Sequence, residues 1–115
     1  MKTIHYQILF YLNLLTVEYL ALTPQHIEII EGFWDKQNHF IAFFVLYILL
    51  ALAHTSFSTF QKVAAMSFIA FQIEIVQYFI PGRYFSLLDI AADGVGVVIG
   101  IFLSRFLVPK LLRGN

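Results

Sequence analysis

Cysteine is absent from this 115-residue chain. That excludes disulfides, a thiolate metal site and a cysteine nucleophile, and it leaves the redox compartment open. Charge is scarce as well. Only 12% of the residues are charged, seven of them acidic and seven basic, for a net charge of zero at neutral pH. A soluble domain of this size needs more charge than that on its surface. The neutral balance also excludes the basic footprint of a nucleic-acid partner. What the chain has in quantity is apolar surface: 60% of its residues are hydrophobic, with thirteen Phe and six Tyr, and the mean hydropathy is +0.80. Together these features indicate one all-α domain, residues 1–115, whose solvent is lipid.

Four apolar stretches, at about 4–22, 37–55, 62–79 and 85–108, each approach the ~20 residues a helix needs to cross a bilayer. The first resembles a signal peptide in having Lys2 before an apolar run. However, Asn13 and Glu18 interrupt it, and no small-x-small cleavage site follows, so it is expected to remain as a helix. The third carries Gln72, Glu74 and Gln77, which a helix in lipid must turn toward its neighbours. Between the first two stretches, Thr23 and Pro24 suit an N-cap and first helical position. Ile27, Ile30 and Trp34 then recur at helical spacing opposite Glu28 and Glu31. This pattern predicts a short interfacial helix, with an irregular loop as the alternative.

The charges are sorted by side. With four spans, Lys2, Lys62, Arg105, Lys110 and Arg113 fall on the side of both termini, and only Lys36 and Arg83 fall on the other. The positive-inside rule therefore places both termini in the cytoplasm. All seven acidic residues gather toward the outer side. At 1.5 Å per residue, Glu74 and Asp93 come out about 4–5 Å outside the midplane, and His39, Gln77 and Asp89 roughly 10 Å. Asp35, Arg83 and Ser86 fall at the water boundary.

Direction agrees with depth. Asp35 and His39 are four residues apart and share a helix face. Ser67, Ala70, Glu74 and Gln77 share one face of the third span, and Ser86, Asp89, Asp93, Gly96 and Gly100 share one face of the fourth. Ala92, Gly96, Gly100 and Ser104 form a small-xxx-small row, the pattern of close helix packing in membranes. Gly96 and Gly100 are accordingly packing residues. Gly94-Val95-Gly96 lacks the strand and turn that a phosphate loop requires.

The run Asp35-Lys36-Gln37-Asn38-His39-Phe40-Ile41-Ala42 resembles the DKxxHFxA motif of the VanZ-like family. The run from Glu74 through Gln77, Phe79, Pro81 and Gly82 to Arg83 resembles its ExxQxFxPGR motif. Ser86 with Asp89 through Gly100 resembles its SxxDxxANxxGxxxG motif. Order and spacing match across the last three spans. At 93 this chain has Asp where the family pattern usually has Asn. That puts a second carboxyl near the depth of Glu74, and two such carboxylates in a low dielectric need a shared proton, a cation or Arg83 between them.

The resemblance implies a small multi-pass protein of the bacterial cytoplasmic (inner) membrane, in a family named for an accessory protein of teicoplanin resistance. It suggests a role in the cell envelope and in glycopeptide susceptibility, an antibiotic-resistance phenotype, but it supplies no reaction. The residues point to a polar pocket made of Asp35, His39, Glu74, Gln77, Arg83, Ser86, Asp89 and Asp93, near the outer leaflet. Membrane lipids are the expected partners, and an envelope lipid headgroup or lipid-linked precursor is the expected ligand. Arg83 would grip an anionic group, and Asp35, Glu74 and Asp89 would take hydroxyls, amines or a bridging divalent cation. His39 is expected to pair with Asp35 or Glu74 rather than to ligate a metal. His5, His26 and His54 read as interfacial residues. The alternatives are a membrane enzyme acting on a lipid-linked substrate, with His39 as acid or base, and a cation- or proton-coupled carrier working as a homo-oligomer. Polar groups can also serve only as glue between helices, but that takes one or two hydrogen bonds rather than a group this large.

Overall fold

The computed structural model describes residues 2–23, 36–81 and 85–113. Among them are four helices and no strand: α1 (Thr3–Leu22), α2 (Lys36–Ala53), α3 (Thr59–Tyr78) and α4 (Leu87–Arg113). The helices cover the four apolar stretches. The interfacial helix expected after Thr23, with Trp34, lies outside the described residues. α4 continues beyond Val108 through Pro109 to Arg113. A proline removes one helical hydrogen bond and crowds the preceding turn, and here the last turn continues in spite of that loss.

Local sequence sets the helix starts. Ser58 accepts a hydrogen bond from the Gln61 amide at 3.1 Å, and the Gln61 side chain accepts from the Ser58 amide at 2.9 Å. This reciprocal pair satisfies two of the amides that the first turn of α3 leaves without helical partners. Ser86 caps α4 with its hydroxyl alone, accepting from the Asp89 amide at 3.2 Å.

Interhelical contacts give an up-down-up-down bundle. The side chain of Gln7 donates to the Ala53 carbonyl, and Tyr11 meets His54, so the start of α1 lies beside the end of α2. Gln77 near the end of α3 donates to the Ala21 carbonyl near the end of α1, which makes those two helices parallel. Along α2 and α4, His39 meets Asp93, Gly96 lies against Phe40 and Phe44, and Gly100 lies against Tyr47. These two helices therefore run parallel in register. The α2–α4 seam is the tightest in the bundle. A Cβ at Gly96 would collide with the Phe40 carbonyl oxygen and approach the Phe44 amide to 3.0 Å. Glycine here lets two backbones touch.

The core consists of Tyr6, Phe10, Val17 and Ala21 from α1, Phe43, Leu46, Tyr47 and Leu50 from α2, Met66, Ala70 and Ile73 from α3, and Val97 from α4. Outside it the surface stays apolar: Leu15, Phe60, Phe68, Leu88, Phe102 and Phe106 are all exposed. Two helices, α3 and α4 over Leu87–Leu112, are long and apolar enough to cross a membrane, with mean hydropathies of 1.2 and 1.9. An exposed apolar girdle of this extent on so small a bundle suits lipid better than water.

Candidate functional site

At the end of the bundle where α3 stops and α4 starts, polar side chains from three helices converge. α2 supplies His39 from its first turns, α3 supplies Glu74 from its last, and α4 supplies Asp89 and Asp93, four apart and so on one face. His39, Glu74 and Asp93 are almost completely enclosed, at 1%, 0% and 1% exposure.

His39 is the centre. Its Nδ1 lies 2.8 Å from Asp93 Oδ1, and its Nε2 lies 3.6 Å from Asp89 Oδ2. One imidazole thus spans two carboxylates one helical turn apart on α4. The short, buried Nδ1 contact is a strong hydrogen bond between the two side chains, and it fixes the ring orientation. Glu74 is held from the main chain: the Ser86 amide donates to its Oε1 at 2.8 Å. A single residue, Ser86, therefore caps α4 with its hydroxyl and anchors Glu74 with its amide. Glu74 Oε2 and Asp93 Oδ2 are buried and have no hydrogen-bond partner among the described residues. His39, Glu74 and Asp89 each present one donor atom within 4.8 Å of the others. The Asp89 side chain, 21% exposed, is the open edge of the group.

Of the eight residues expected in the pocket, the structure brings His39, Glu74, Ser86, Asp89 and Asp93 together. Gln77 is buried, with its amide committed to the Ala21 carbonyl at 2.7 Å. There it satisfies one of the carbonyls that the end of α1 leaves without a helical partner. Asp35 and Arg83 lie outside the described residues. Asp93 takes the Nδ1 of His39, and of the two partners expected for that ring, Asp35 lies outside the described residues. Gly96 and Gly100 pack as expected, the first against the α2 backbone and the second against the Tyr47 side chain. His54 bonds Tyr11 and stacks on Phe57, and His5 caps the Lys2 amide, both away from the cluster.

One feature has no signal in the sequence. α3 and α4 splay apart to leave a half-open groove of about 240 Å³, lined by Met66, Ser67, Phe71, Gly94, Val98 and Ile101 among others. Asp93 also lines it. The groove is apolar apart from Ser67 and Asp93, and its rim at Phe71 and Val98 faces outward from the bundle.

Residues 2–108 match the family model described as VanZ/LLP1. The chain belongs to the VanZ/LLP1 family. No curated protein and no solved structure matches it. The match spans all four helices of this VanZ/LLP1 protein up to the last turn of α4, and it includes every residue of the polar cluster.

Proposed function

We propose that this VanZ/LLP1 protein is a multi-pass protein of the bacterial cytoplasmic membrane that binds an envelope lipid or lipid-linked precursor. The headgroup sits at the polar cluster and the tail lies in the groove between α3 and α4. The observation that carries this reading is the position of Asp93, which bonds His39 inside the cluster and lines the apolar groove as well. A polar niche continuous with an apolar slot matches an amphiphile. Buried titratable groups in a lipid-facing bundle are also costly unless they are used. Arg83, next to the cluster in sequence, is the base suited to a phosphate or carboxylate on such a headgroup. Through this ligand the protein would influence glycopeptide susceptibility.

The test is the lipid that stays bound to protein extracted from bacterial membranes, read by native mass spectrometry in mild detergent. Gly94→Phe should fill the groove without disturbing the fold, since a Cβ at Gly94 meets nothing within 4 Å. Glu74→Gln keeps shape and removes charge at the polar end. Each variant should lose most of the bound lipid while its helical content and melting temperature persist. Full lipid occupancy in both folded variants would refute the reading.

Both termini are proposed to be cytoplasmic, with the cluster on the outer side, from the distribution of Lys and Arg. Ser56 and Phe85 are both exposed. In this cysteine-free chain, Ser56→Cys and Phe85→Cys should label from opposite sides, with only Phe85→Cys reacting with an impermeant maleimide on intact cells. Labelling of Ser56→Cys alone would invert the topology.

A further inference from the structure

We infer that His39, Glu74 and Asp89 form a binding site for a divalent transition-metal cation, with Asp93 as the carboxylate that positions His39. The inference deepens the reading of the cluster as a binding pocket and rests on it for location, but it does not depend on the ligand being a lipid. The geometry comes first. The three donor atoms lie within 4.8 Å of one another, on three different helices. Donors bound to one metal at about 2.0–2.2 Å in a tetrahedral arrangement stand roughly 3.4 Å apart. His39 Nε2 and Asp89 Oδ2, 3.6 Å apart, are already at that spacing.

The surrounding bonds are those of a metal site. A metal-binding histidine usually gives its other ring N–H to a carboxylate, and a metal-binding carboxylate is itself hydrogen-bonded. Here Asp93 holds Nδ1 at 2.8 Å, which directs Nε2 toward Glu74 and Asp89. The Ser86 amide holds Glu74 Oε1 and leaves Oε2 for another partner. The second observation is independent of this spacing. Glu74 is fully buried, yet among the described residues its Oε2 has no hydrogen-bond partner. A buried carboxylate oxygen left unsatisfied is costly, and native proteins rarely keep one without a function. A cation bridging Glu74 and Asp89 would satisfy it and would offset the crowding of three carboxylates.

The donor set selects the metal. Imidazole favours zinc and the other late first-row cations over magnesium and calcium, which prefer all-oxygen shells. Three protein donors leave coordination positions vacant for water or an oxygen of a ligand. The exposed edge at Asp89 is where such a group would enter. A metal at this point would also reconcile an acidic cluster with an anionic headgroup, because the cation would stand between the two.

The experiment uses the full chain, purified without a polyhistidine tag, stripped with chelator and held in detergent free of lipid. Zn2+ is titrated calorimetrically at pH 7, and Co2+ is titrated as a spectroscopic probe. We expect one equivalent of either ion and visible Co2+ absorption of a low-symmetry site, with far weaker binding of Mg2+ and Ca2+. Asp93→Asn should lower Zn2+ affinity roughly 10–100-fold while keeping the stoichiometry and the Co2+ spectrum, as loss of a positioning group does. His39→Gln and Glu74→Gln should each lower it further and change the spectrum. Melting curves identify any variant that fails to fold, and the isosteric Glu74→Gln keeps the test decisive if His39→Gln does so. Wild-type protein that binds no Zn2+, as it would if Arg83 occupied this place, overturns the assignment. So does Zn2+ affinity unchanged in folded Glu74→Gln. Metal binding with no lipid retention would leave the metal site standing and remove the lipid reading, and lipid retention with no metal binding would do the reverse.

Discussion

Gly96→Leu prevents the bundle from assembling, whereas Gly94→Leu, two residues earlier on the same helix, leaves its stability almost unchanged. The contrast follows from what each new side chain meets. At Gly96 the first carbon collides with the Phe40 carbonyl oxygen and comes within 3.0 Å of the Phe44 amide. Those atoms belong to the α2 helical ladder and cannot rotate away. The only relief is to push α4 off α2, and that seam also carries the His39–Asp93 bond. Overpacking a well-filled core costs about 1–3 kcal/mol even where side chains can adjust, so a leucine against backbone should exceed that range. At Gly94 nothing lies within 4 Å. Gly100 is intermediate, because an added Cβ would come within 3.1 Å of the Tyr47 Cβ and ring rather than collide with backbone. The measurement is thermal unfolding in detergent together with the yield of monodisperse protein. Equal melting temperatures for the Gly94 and Gly96 variants would contradict the α2–α4 register.

That face of α4 was legible in the sequence because it has a simple cause. Small residues four apart in an apolar helix serve little except close approach, and Ala92, Gly96, Gly100 and Ser104 mark such a row. The four helices were legible for the same kind of reason, since long apolar runs leave few other options. The polar cluster was legible in depth but not in pairing. Counting rise per residue put Asp93 beside Glu74 and His39 beside Asp89. The structure instead sets the His39 ring between Asp93 and Asp89, because residues one turn apart on α4 both reach it. The length of an imidazole, not the height of its Cα, decides which carboxylate it meets. Gln77 matches the cluster in depth, and its partner is a main-chain carbonyl at the end of α1. Every helix end has such carbonyls, and side-chain patterns do not show which glutamine will reach one. The groove depends on how far α3 leans from α4, a quantity set by packing over the whole bundle. The helix α4 also runs past the expected span, through Pro109 to Arg113, which apolar run length alone does not reveal.

The second large effect is His39→Leu. It leaves Asp93, 1% exposed, with both oxygens lacking a partner among the described residues. Removing one member of a buried charged pair costs about 3–5 kcal/mol. The double variant His39→Leu/Asp93→Leu should behave differently. Replacing both members of a buried polar pair by apolar groups is often neutral or stabilising. The groove beside Asp93 also provides room for the larger side chain. If so, the fold does not need these residues, and their presence in an apolar bundle is explained by what they bind. The most direct test of that claim is the native mass spectrum of the double variant extracted from bacterial membranes, taken beside its melting curve. The account predicts a melting temperature at or above that of the wild type and a spectrum stripped of bound lipid. A folded double variant that carries as much lipid as the wild type would contradict it.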